Sequence, residues 1–279
     1  MSNLAISFSG GRSSAVMTKL ILDKHKDEFN EITVVFCNTG QEHEATLEFV
    51  KNCDEQLDFN AVWLEARTHL GQRKGCTHRI VDFNSADRKG RVFENMAEKY
   101  GMPGQGYPHC TRELKLNPFK SYLKSIGWKD YKTAIGIRAD EIDRMTSDAS
   151  IIYPLITGLW DKERVNQEMK NWPFDLEIPN DAHGNCVWCW KKSFRKLYTL
   201  AESNPEYFNF PRKLENNYNR INEKGENRRL FRGGKTVDDI FSELNSSDFE
   251  RYKDDTESPQ ITFLDLGGGC GDSCEITYD

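Results

Sequence analysis

Residues 4–17, LAISFSGGRSSAVM, decide the fold, because they join a short apolar stretch to a helical pattern through two glycines. LAISF has the apolar weight of a buried strand, and apolar residues at Val16 and Leu20 then recur at helical spacing. Between them, Gly10 and Gly11 let the backbone approach a ligand closely, while the helix directs its free N–H groups and positive end at the same point. The stretch therefore predicts a strand, a tight turn and a helix that together bind an anion.

The same alternation of strand and helix continues along the chain. Further strands are predicted at ITVVF (32–36), AVWLEA (61–66) and KTAIGI (132–137), with helices around Leu47 to Leu57 and Pro118 to Ile126. Alternation with connections of this length predicts an α/β fold, a parallel sheet covered by helices on both faces. Ligands of such sheets bind beyond the carboxyl ends of the strands, where the glycine pair, Asn38-Thr39-Gly40 and Arg138 follow predicted strands.

Length and composition predict two parts. A chain of 279 residues with 37% hydrophobic content can bury one large core and still carry a smaller unit. From about residue 158 the pattern changes to helices rich in Trp, Asn and charge, so we expect a nucleotide-binding domain at 1–157 and a mostly helical, cysteine-bearing region at 158–279. The absence of a long apolar run or a signal-like start leads us to expect a cytoplasmic protein without a membrane partner.

The net charge of −6 is unevenly distributed. Residues 236–279 contain 12 acidic and 2 basic side chains, which leaves residues 1–235 with a net charge of +4. Within this basic part, RINEKGENRRLFRGGK (220–235) has 6 basic and 2 acidic residues. Such a segment is either a phosphate-binding surface or a solvated loop, and both interpretations stay open.

The glycine loop also carries polar side chains suited to phosphate. Ser9, Ser13 and Ser14 offer hydroxyl donors, and Arg12 adds a positive charge. The loop lacks the Gly-Lys-Ser/Thr ending of the Walker type, so transfer of a γ-phosphate is not indicated.

Four segments between residues 4 and 145 carry motifs that occur together in one family. They are SGGRSS (9–14), CNTGQEHEATLEFV (37–50), CTRELKLNPFKSYL (110–123) and GIRADEIDR (136–144). Their order and separation resemble the PP-loop adenine nucleotide alpha-hydrolase-like superfamily, and within it the phosphoadenosine phosphosulfate reductase family. The resemblance implies a Rossmann-like (HUP-type) domain that binds ATP or a sulfated adenosine nucleotide and acts at the α-phosphate or the sulfonyl group.

The resemblance also assigns roles to individual residues. The nucleotide-binding residues that it implies, with Arg12 added for its charge, are Ser9, Gly10, Gly11, Arg12, Ser13, Ser14, Thr39 and Gly40. Arg138, Glu141 and Arg144 would face the substrate as catalytic residues. Ser13 and Asn38 stand where relatives carry Asp, so two carboxylates that would organise a magnesium ion are missing, and a magnesium requirement is left open.

Two close cysteine pairs predict a metal centre. Cys186 and Cys189 are separated by two residues in NCVWCWKK, and Cys270 and Cys274 by three residues in GGGCGDSCE. Such spacing lets two thiolates converge on one ion, and two pairs supply four soft ligands. A 4Fe-4S cluster, with zinc as the alternative, would tie the C-terminus to the rest of the chain. The competing interpretation is a buried CxxC followed by an unrelated tail.

Cys110 lies in PHCTRELK, where the reductase-like relatives keep a cysteine near the substrate. Arg112 and Lys115 nearby would favour its thiolate, the reactive form. Cys110 is thus either a catalytic sulfur acceptor or a fourth metal ligand with Cys186, Cys189 and one C-terminal cysteine. Cys37 and Cys53 are expected to be plain core or surface residues.

These features predict a PP-loop enzyme that uses adenine nucleotide to activate a substrate for sulfur transfer, with a nucleobase or nucleic acid as the candidate acceptor. One alternative is a reductase of phosphoadenosine phosphosulfate or adenosine phosphosulfate, in which Cys110 attacks the sulfonyl sulfur. Another is a nucleotide-sensing or nucleic-acid-binding module without turnover.

Overall fold

The structure, a computed structural model, describes residues 1–220, 225–246, 249 and 251–254. Its strands are β1 (Asn3–Phe8), β2 (Ile32–Asn38), β3 (Val62–Arg67), β4 (Thr77–Val81), β5 (Tyr131–Ile135) and β6 (Ile151–Ile152). Within the described residues they form one six-stranded sheet in the order β4-β3-β2-β1-β5-β6.

Helices connect and cover these strands. In the first part of the chain they are α1 (Arg12–Lys24), α2 (Glu44–Leu57), α3 (Arg91–Tyr100), α4 (His109–Thr111) and α5 (Asn117–Ser125), with a π-helical segment, Arg112–Leu116, joining α4 to α5. Beyond β6 they are α6 (Pro154–Thr157), α7 (Lys162–Met169), α8 (Phe194–Ser203), α9 (Asn209–Tyr218) and α10 (Val237–Ser246). None of the described helices is long and apolar enough to cross a membrane.

The sheet reverses its direction of growth at β1. The chain adds β2 and β3 on one side of β1, and β5 and β6 on the other, all in parallel. Ligands of such sheets bind at the carboxyl ends of the two strands that flank this switch point. Those ends lead into Ser9 from β1 and toward Arg138 from β5, so the topology places the glycine loop and Arg138 at one crevice.

The prediction of an α/β sheet with helices on both faces is confirmed, but the expectation that the sheet is wholly parallel is wrong for β4. This strand pairs antiparallel with β3, and the sheet is therefore mixed. The cause is the connection, because residues 68–76 are too few for the crossover of a dozen or more residues that a parallel neighbour requires.

The two faces of the sheet have separate cores, as the alternation of side chains along a strand requires. On one face, Leu4, Ile6 and Phe8 of β1 pack with residues of α1, α2 and α7. On the other face, Ala5 packs with α5, including the fully buried Phe119. Hydrophobic burial on both sides thus fixes β1, and with it the start of the glycine loop.

A third core joins α3 to the C-terminal helices. Phe93 of α3 packs with Trp188, Leu197, Leu214 and residues around them, and all of these are buried. The described part of the C-terminal region is mostly helical, as expected, and it packs on the sheet domain. The division into 1–157 and 158–279 stays a prediction.

Three of the cysteines are buried in the interior of the protein. Cys37, Cys53 and Cys76 are buried, and burial raises the pKa of Cys37 to about 12 and that of Cys76 to about 11. Cys53 is fully buried in the core of the sheet, so it is a core residue rather than a surface thiol. Thiols with pKa values this high stay protonated and unreactive at neutral pH.

Candidate functional site

The glycine loop between β1 and α1 depends on Gly10. Its backbone is left-handed (φ +79°), and a Cβ atom there would lie 2.7 Å from Cγ2 of Thr46 on α2. Gly11 is the N-cap of α1 and has extended backbone angles (φ −99°, ψ 161°) that any residue can adopt. Because no side chain caps this helix end, the first amides of α1 are available to an anion.

Two serines hold the loop in shape. The Ser14 hydroxyl donates to the carbonyl of Gly11 at 2.9 Å and accepts from the backbone N–H of Ser9 at 3.2 Å. The two hydroxyls of Ser9 and Ser14 lie 2.9 Å apart. Ser14 is fully buried, so its role in this structure is to support the loop from below, whereas Ser9 and Ser13 line the cleft above it.

A cleft of about 570 Å³, which we call the nucleotide cleft, opens over the loop. Its walls come from the loop, from α2 and Arg138, and from the region after residue 158. The residues that line it are Ser9, Gly10, Gly11, Arg12, Ser13, Thr46, Arg138, Lys162, Val165, Asn166, Leu176, Ile178, Asp181, Gly184 and Asn185. The cleft therefore combines helix amides, hydroxyls and three cationic side chains, which is the chemistry that phosphate groups require.

Arg138 reaches the loop from the end of β5. Its side chain is only 7% exposed, and Nη1 donates to the Ser13 hydroxyl at 3.1 Å while Nε donates to Asp140 at 3.0 Å. Glu141 accepts from the Arg138 backbone N–H at 3.4 Å and from Nη1 of Arg144 at 2.5 Å. Glu141 and Arg144 thus adjoin Arg138, and the structure brings the GIRADEIDR segment to the loop as its strand-end position predicts.

Arg12 is anchored away from the loop backbone. Its guanidinium donates to Asp175 at 2.7 Å and to the carbonyl of Leu176 at 2.7 Å, and Asp181 lies 3.8 Å away. Burial lowers the pKa of Arg12, but the hydrogen bond and the charge of Asp175 outweigh it and leave the pKa raised. Arg12 therefore remains charged in the cleft wall and joins the glycine loop to the segment after α7.

The structure explains why position 38 carries asparagine where relatives carry aspartate, which the sequence did not reveal. Its side-chain amide donates to Glu65 at 2.8 Å and to the carbonyl of Asp87 at 2.9 Å, and both Asn38 and Glu65 are fully buried. An aspartate at this position would face the Glu65 carboxylate and lack a proton to donate. The amide therefore satisfies the buried carboxylate that β3 places beside it.

Thr39 and Gly40 are not among the residues that line the nucleotide cleft. The Thr39 hydroxyl donates to Glu42 at 2.7 Å and lies 3.3 Å from the sulfur of Cys186. Gly40 is left-handed (φ +78°), and a Cβ atom there would lie 2.6 Å from a carboxylate oxygen of Asp87. Gly40 thus shapes the turn after β2, and Thr39 connects this turn to the CxxC segment. Nucleotide binding by these two residues stays a prediction.

A second, smaller pocket of about 390 Å³ brings three cysteines together, and we call it the cysteine pocket. The residues that line it are Thr39, Phe93, Cys110, Thr111, Leu114, Lys115, Cys186, Trp188, Cys189, Trp190 and Lys191. Of the six cysteines in the described residues, only Cys110 is not buried. Cys110 thus shares a pocket with the CxxC pair, although it lies far from it in sequence.

The CxxC segment is held by backbone hydrogen bonds. The N–H of Cys189 donates to the carbonyl of Cys186 at 2.9 Å, and the buried Lys192 donates to the same carbonyl at 2.8 Å. Val187 donates to the carbonyl of Gln41 at 2.9 Å, which ties the segment to the turn after β2. These bonds present both sulfurs to one pocket, as their spacing predicts.

The nucleotide cleft and the cysteine pocket meet at two consecutive residues. Asn185 lines the cleft, and the next residue, Cys186, lines the cysteine pocket. Asn185 has a left-handed backbone (φ +61°), which asparagine tolerates better than most residues. The turn at Asn185 therefore separates the cleft over the glycine loop from the thiol-lined pocket.

Metal binding is not preformed in the part of the chain that the structure describes. No group of three or more His, Cys, Asp or Glu side chains there is arranged to hold an ion. Cys270 and Cys274, the second predicted ligand pair, lie outside the described residues.

Reasoning from the sequence missed nine of the fifteen cleft-lining residues, among them Thr46, Lys162 and Asn185. Thr46 matches the threonine of the "DTG...E...T" motif, so that motif could have identified it. Lys162 and Asn185 carry no local signal, because they reach the cleft only when the region after residue 158 folds onto α1 and α2.

Comparison with known proteins gives the following similarities. The family model of the phosphoadenosine phosphosulfate reductase domain matches residues 3–84. An uncharacterized nin region protein of Escherichia phage lambda is 32% identical over 279 residues, covering 97% of this chain and 94% of that protein. An uncharacterized protein of Methanocaldococcus jannaschii is 30% identical over 188 residues, covering 66% of this chain and 34% of that longer protein.

A solved structure also matches the chain. It is the crystal structure of phosphoadenylyl-sulfate (PAPS) reductase from Candida auris in a phosphate complex, with a TM-score of 0.38 and 15% identity. The match covers 61% of this chain and 73% of that one.

Proposed function

We propose, because this chain belongs to the phosphoadenosine phosphosulfate reductase family, that it binds ATP over the glycine loop and uses it to activate a substrate for sulfur transfer. The observation that carries this proposal is that two consecutive residues, Asn185 and Cys186, line the nucleotide cleft and the cysteine pocket respectively. A nucleotide phosphate in the cleft would lie next to a pocket lined by thiols. Such an arrangement suits activation and sulfur transfer in succession.

The nucleotide is held through its phosphates. The free amides at the start of α1 and the Ser13 hydroxyl donate to phosphate oxygens, and the cations Arg138 and Lys162 offset their charge. Arg138 is already fixed by Ser13 and Asp140, so little reorganisation is needed when charge develops on the phosphates. The loop lacks the lysine that Walker-type loops use with the β- and γ-phosphates, which is consistent with attack at the α-phosphate.

The reaction has two balanced steps. First, an oxygen of the acceptor attacks the α-phosphorus of ATP, the bond to the β-phosphate oxygen breaks, and pyrophosphate leaves. Second, a sulfide donor supplied as co-substrate attacks the activated carbon, the carbon–oxygen bond breaks, and AMP leaves with that oxygen. Activation is needed because AMP is a far better leaving group than hydroxide, and the loop stabilises the charge in both steps.

The cysteine pocket suits a soft metal group. Cys110, Cys186 and Cys189 line it, and two buried polar atoms in its wall, Thr111 Oγ1 and Trp190 Nε1, have no hydrogen-bond partner in the described structure. Donors of this kind can bond to the sulfide of a cluster or to a metal-bound thiolate. We therefore propose a 4Fe-4S cluster, with zinc as the alternative, held by the CxxC pair with Cys270 and Cys274, or by the CxxC pair with Cys110 and one C-terminal cysteine. When bound, the cluster would hold or deliver the sulfur.

The products of ATP consumption test the reaction type. We expect turnover with ATP, an acceptor and inorganic sulfide to yield AMP and pyrophosphate, since the attack falls on the α-phosphate. Anion-exchange chromatography of the quenched reaction separates AMP from ADP. ADP and phosphate as the main products would reject the proposal, and tight binding of ATP without any product would favour the sensing module.

The exposure of Cys110 supports a reductase as the second candidate. In that reaction its thiolate attacks the sulfonyl sulfur of a sulfated adenosine nucleotide, the sulfur–oxygen bond breaks, and the nucleotide leaves. A thiol reductant then releases sulfite. Sulfite formation that is lost in Cys110→Ala, together with no AMP from ATP, would select this reaction.

Arg138→Ala tests the phosphate-binding role directly. We expect the affinity for ATP to fall about 10- to 100-fold, because a charge-assisted hydrogen bond contributes about 1.5–3 kcal/mol. Isothermal titration calorimetry measures this change. The control is Arg73→Ala, which removes an equally charged but exposed side chain that lines neither the nucleotide cleft nor the cysteine pocket. Equal affinities in both variants would remove Arg138 from the site.

A further inference from the structure

A third depression adjoins the cysteine pocket on the side of α4, and we call it the outer cleft. It encloses about 1030 Å³ and is lined by Gly106, Tyr107, Pro108, His109, Thr111, Arg112, Leu116 and Lys191. Thr111 and Lys191 line the cysteine pocket as well. The outer cleft therefore borders the cysteine pocket, which in turn follows the nucleotide cleft at the consecutive residues Asn185 and Cys186.

The outer cleft carries positive charge. The side chain of Arg112 is 59% exposed, and its Nε donates to Glu113 at 2.9 Å. Glu113 itself is almost fully buried and also accepts from the backbone N–H of Cys76 and from the side-chain amide of Asn117. Lys191 lies over the ring of Trp190 with its nitrogen 5.5 Å from the ring centre. No Asp or Glu occurs among the described residues that line the cleft. Its chemistry is thus complementary to an anion, in a chain whose net charge is negative.

An aromatic ring, that of Tyr107, lines the outer cleft together with these positively charged residues. Tyr107 is half-buried, and the guanidinium of Arg228 lies 3.7 Å from its ring centre. Arg228 is held by the carbonyl of Tyr100 at 3.1 Å, and its Nε atom is buried and has no hydrogen-bond partner in the described structure. A flat ring backed by a fixed guanidinium is a surface on which a nucleobase stacks well.

Residues 228–235, a described part of the basic segment 220–235, support this surface. A Cβ atom on Gly104 would lie 2.5 Å from the carbonyl oxygen of Arg229, so the loop that carries Tyr107 packs directly on the segment. The N–H of Gly233 donates to Gln105 at 3.2 Å in the same loop. These residues therefore pack beside the outer cleft, and Arg228 brings a positive charge to Tyr107 at its border, whereas the sequence left the role of the segment open.

We propose that the outer cleft binds single-stranded nucleic acid, with an unpaired base on Tyr107 and the backbone phosphates on Arg112 and Lys191. The inference rests on the proposed function, since it names the acceptor and the side from which that acceptor reaches the thiols. Stacking requires an unpaired base, which a duplex does not offer without opening. The shared residues Thr111 and Lys191 place the bound strand beside the cysteine pocket.

Binding of labelled oligonucleotides to the full-length protein tests the proposal. Fluorescence anisotropy is measured with a single-stranded RNA, a DNA of the same sequence, their duplexes and inorganic polyphosphate. We expect single strands to bind at least about tenfold more tightly than duplexes or polyphosphate, and affinity to fall with salt. The RNA and DNA arms identify which strand is preferred. Equal binding of polyphosphate would overturn base recognition and leave only an anion surface.

Variants of residues in the outer cleft show where the single-stranded nucleic acid binds. Tyr107→Leu is expected to weaken binding about tenfold, because it removes the stacking surface, whereas Tyr107→Phe keeps the ring and the affinity. Arg112→Gln is expected to weaken binding severalfold and to reduce its salt dependence. Lys129→Gln is the control, because it removes one charge from an exposed position just before β5, at the amino end of that strand. Equal effects of the two charge variants, or none of Tyr107→Leu, would place the nucleic acid elsewhere.

ATP affinity, measured on the same samples, separates this inference from the proposed function. Binding of ATP without binding of single strands would overturn the outer cleft and leave the nucleotide site intact. Binding of single strands without binding of ATP would overturn the proposed reaction and leave the outer cleft as a nucleic-acid site.

Discussion

Gly11→Val is expected to abolish the binding of adenine nucleotide while the protein stays folded. Gly11 lines the nucleotide cleft at the start of α1, so a branched side chain there takes space that phosphate oxygens need. Its extended backbone is one that valine adopts readily, and the fold should therefore tolerate the change. We expect a loss of affinity of at least about 100-fold for ATP and for sulfated adenosine nucleotides by calorimetry, about 3 kcal/mol.

Two further variants make the result specific. Ala149→Val, in an exposed loop, makes a similar small-to-valine change away from the cleft and should leave the affinity unchanged. Gly10→Val should instead unfold or distort the loop, because its left-handed backbone and its contact with Thr46 exclude a side chain. An unaltered affinity in folded Gly11→Val would place the nucleotide outside this loop and remove the central claim.

The sequence predicted the part of the fold that depends on local pattern. The strands β1, β2, β3 and β5 are short apolar runs, and β1 and β2 are each followed by a turn and a helix. Their parallel order and the position of ligands at their carboxyl ends therefore follow from general rules. From these rules, the sequence predicts that the glycine loop and Arg138 lie at the same crevice. The strand β4, THRIV, was missed because its side chains are exposed or half-buried and show no buried period.

Contacts between distant segments were beyond the reach of the sequence. Arg12 was assigned to phosphate for its charge, but its partners, Asp175 and Asp181, become neighbours only when the chain after α7 packs on α1. Cys110 meets the CxxC segment through the packing of α3 and α4 against the C-terminal helices. Spacing identifies which cysteines can share an ion locally, but it carries no information about a third cysteine from another core.

Cys186→Ser and Cys189→Ser are expected to lose the metal centre and to lower the melting temperature. A metal binds the folded site far better than the unfolded chain, so its binding energy adds to the stability of the fold and is lost with one ligand. We expect bound iron or zinc to fall from about one centre per chain to nearly none, and the melting temperature to fall by about 10 °C. Metal analysis and the visible spectrum of anaerobically purified protein measure occupancy, and a broad brown absorption distinguishes iron–sulfur from zinc.

The remaining ligands follow from a comparison of Cys110→Ser with Cys270→Ser and Cys274→Ser. If Cys110 belongs to the centre, as its place in the cysteine pocket suggests, its variant loses metal with the CxxC variants. If the two sequence pairs form the centre, Cys270→Ser and Cys274→Ser lose metal, and Cys110→Ser keeps it but loses sulfur chemistry. The control is Cys53→Ala, which removes a fully buried thiol from the core of the sheet and should lower the melting temperature without any loss of metal. Full occupancy in all five variants, of Cys110, Cys186, Cys189, Cys270 and Cys274, would show that these thiols hold no metal.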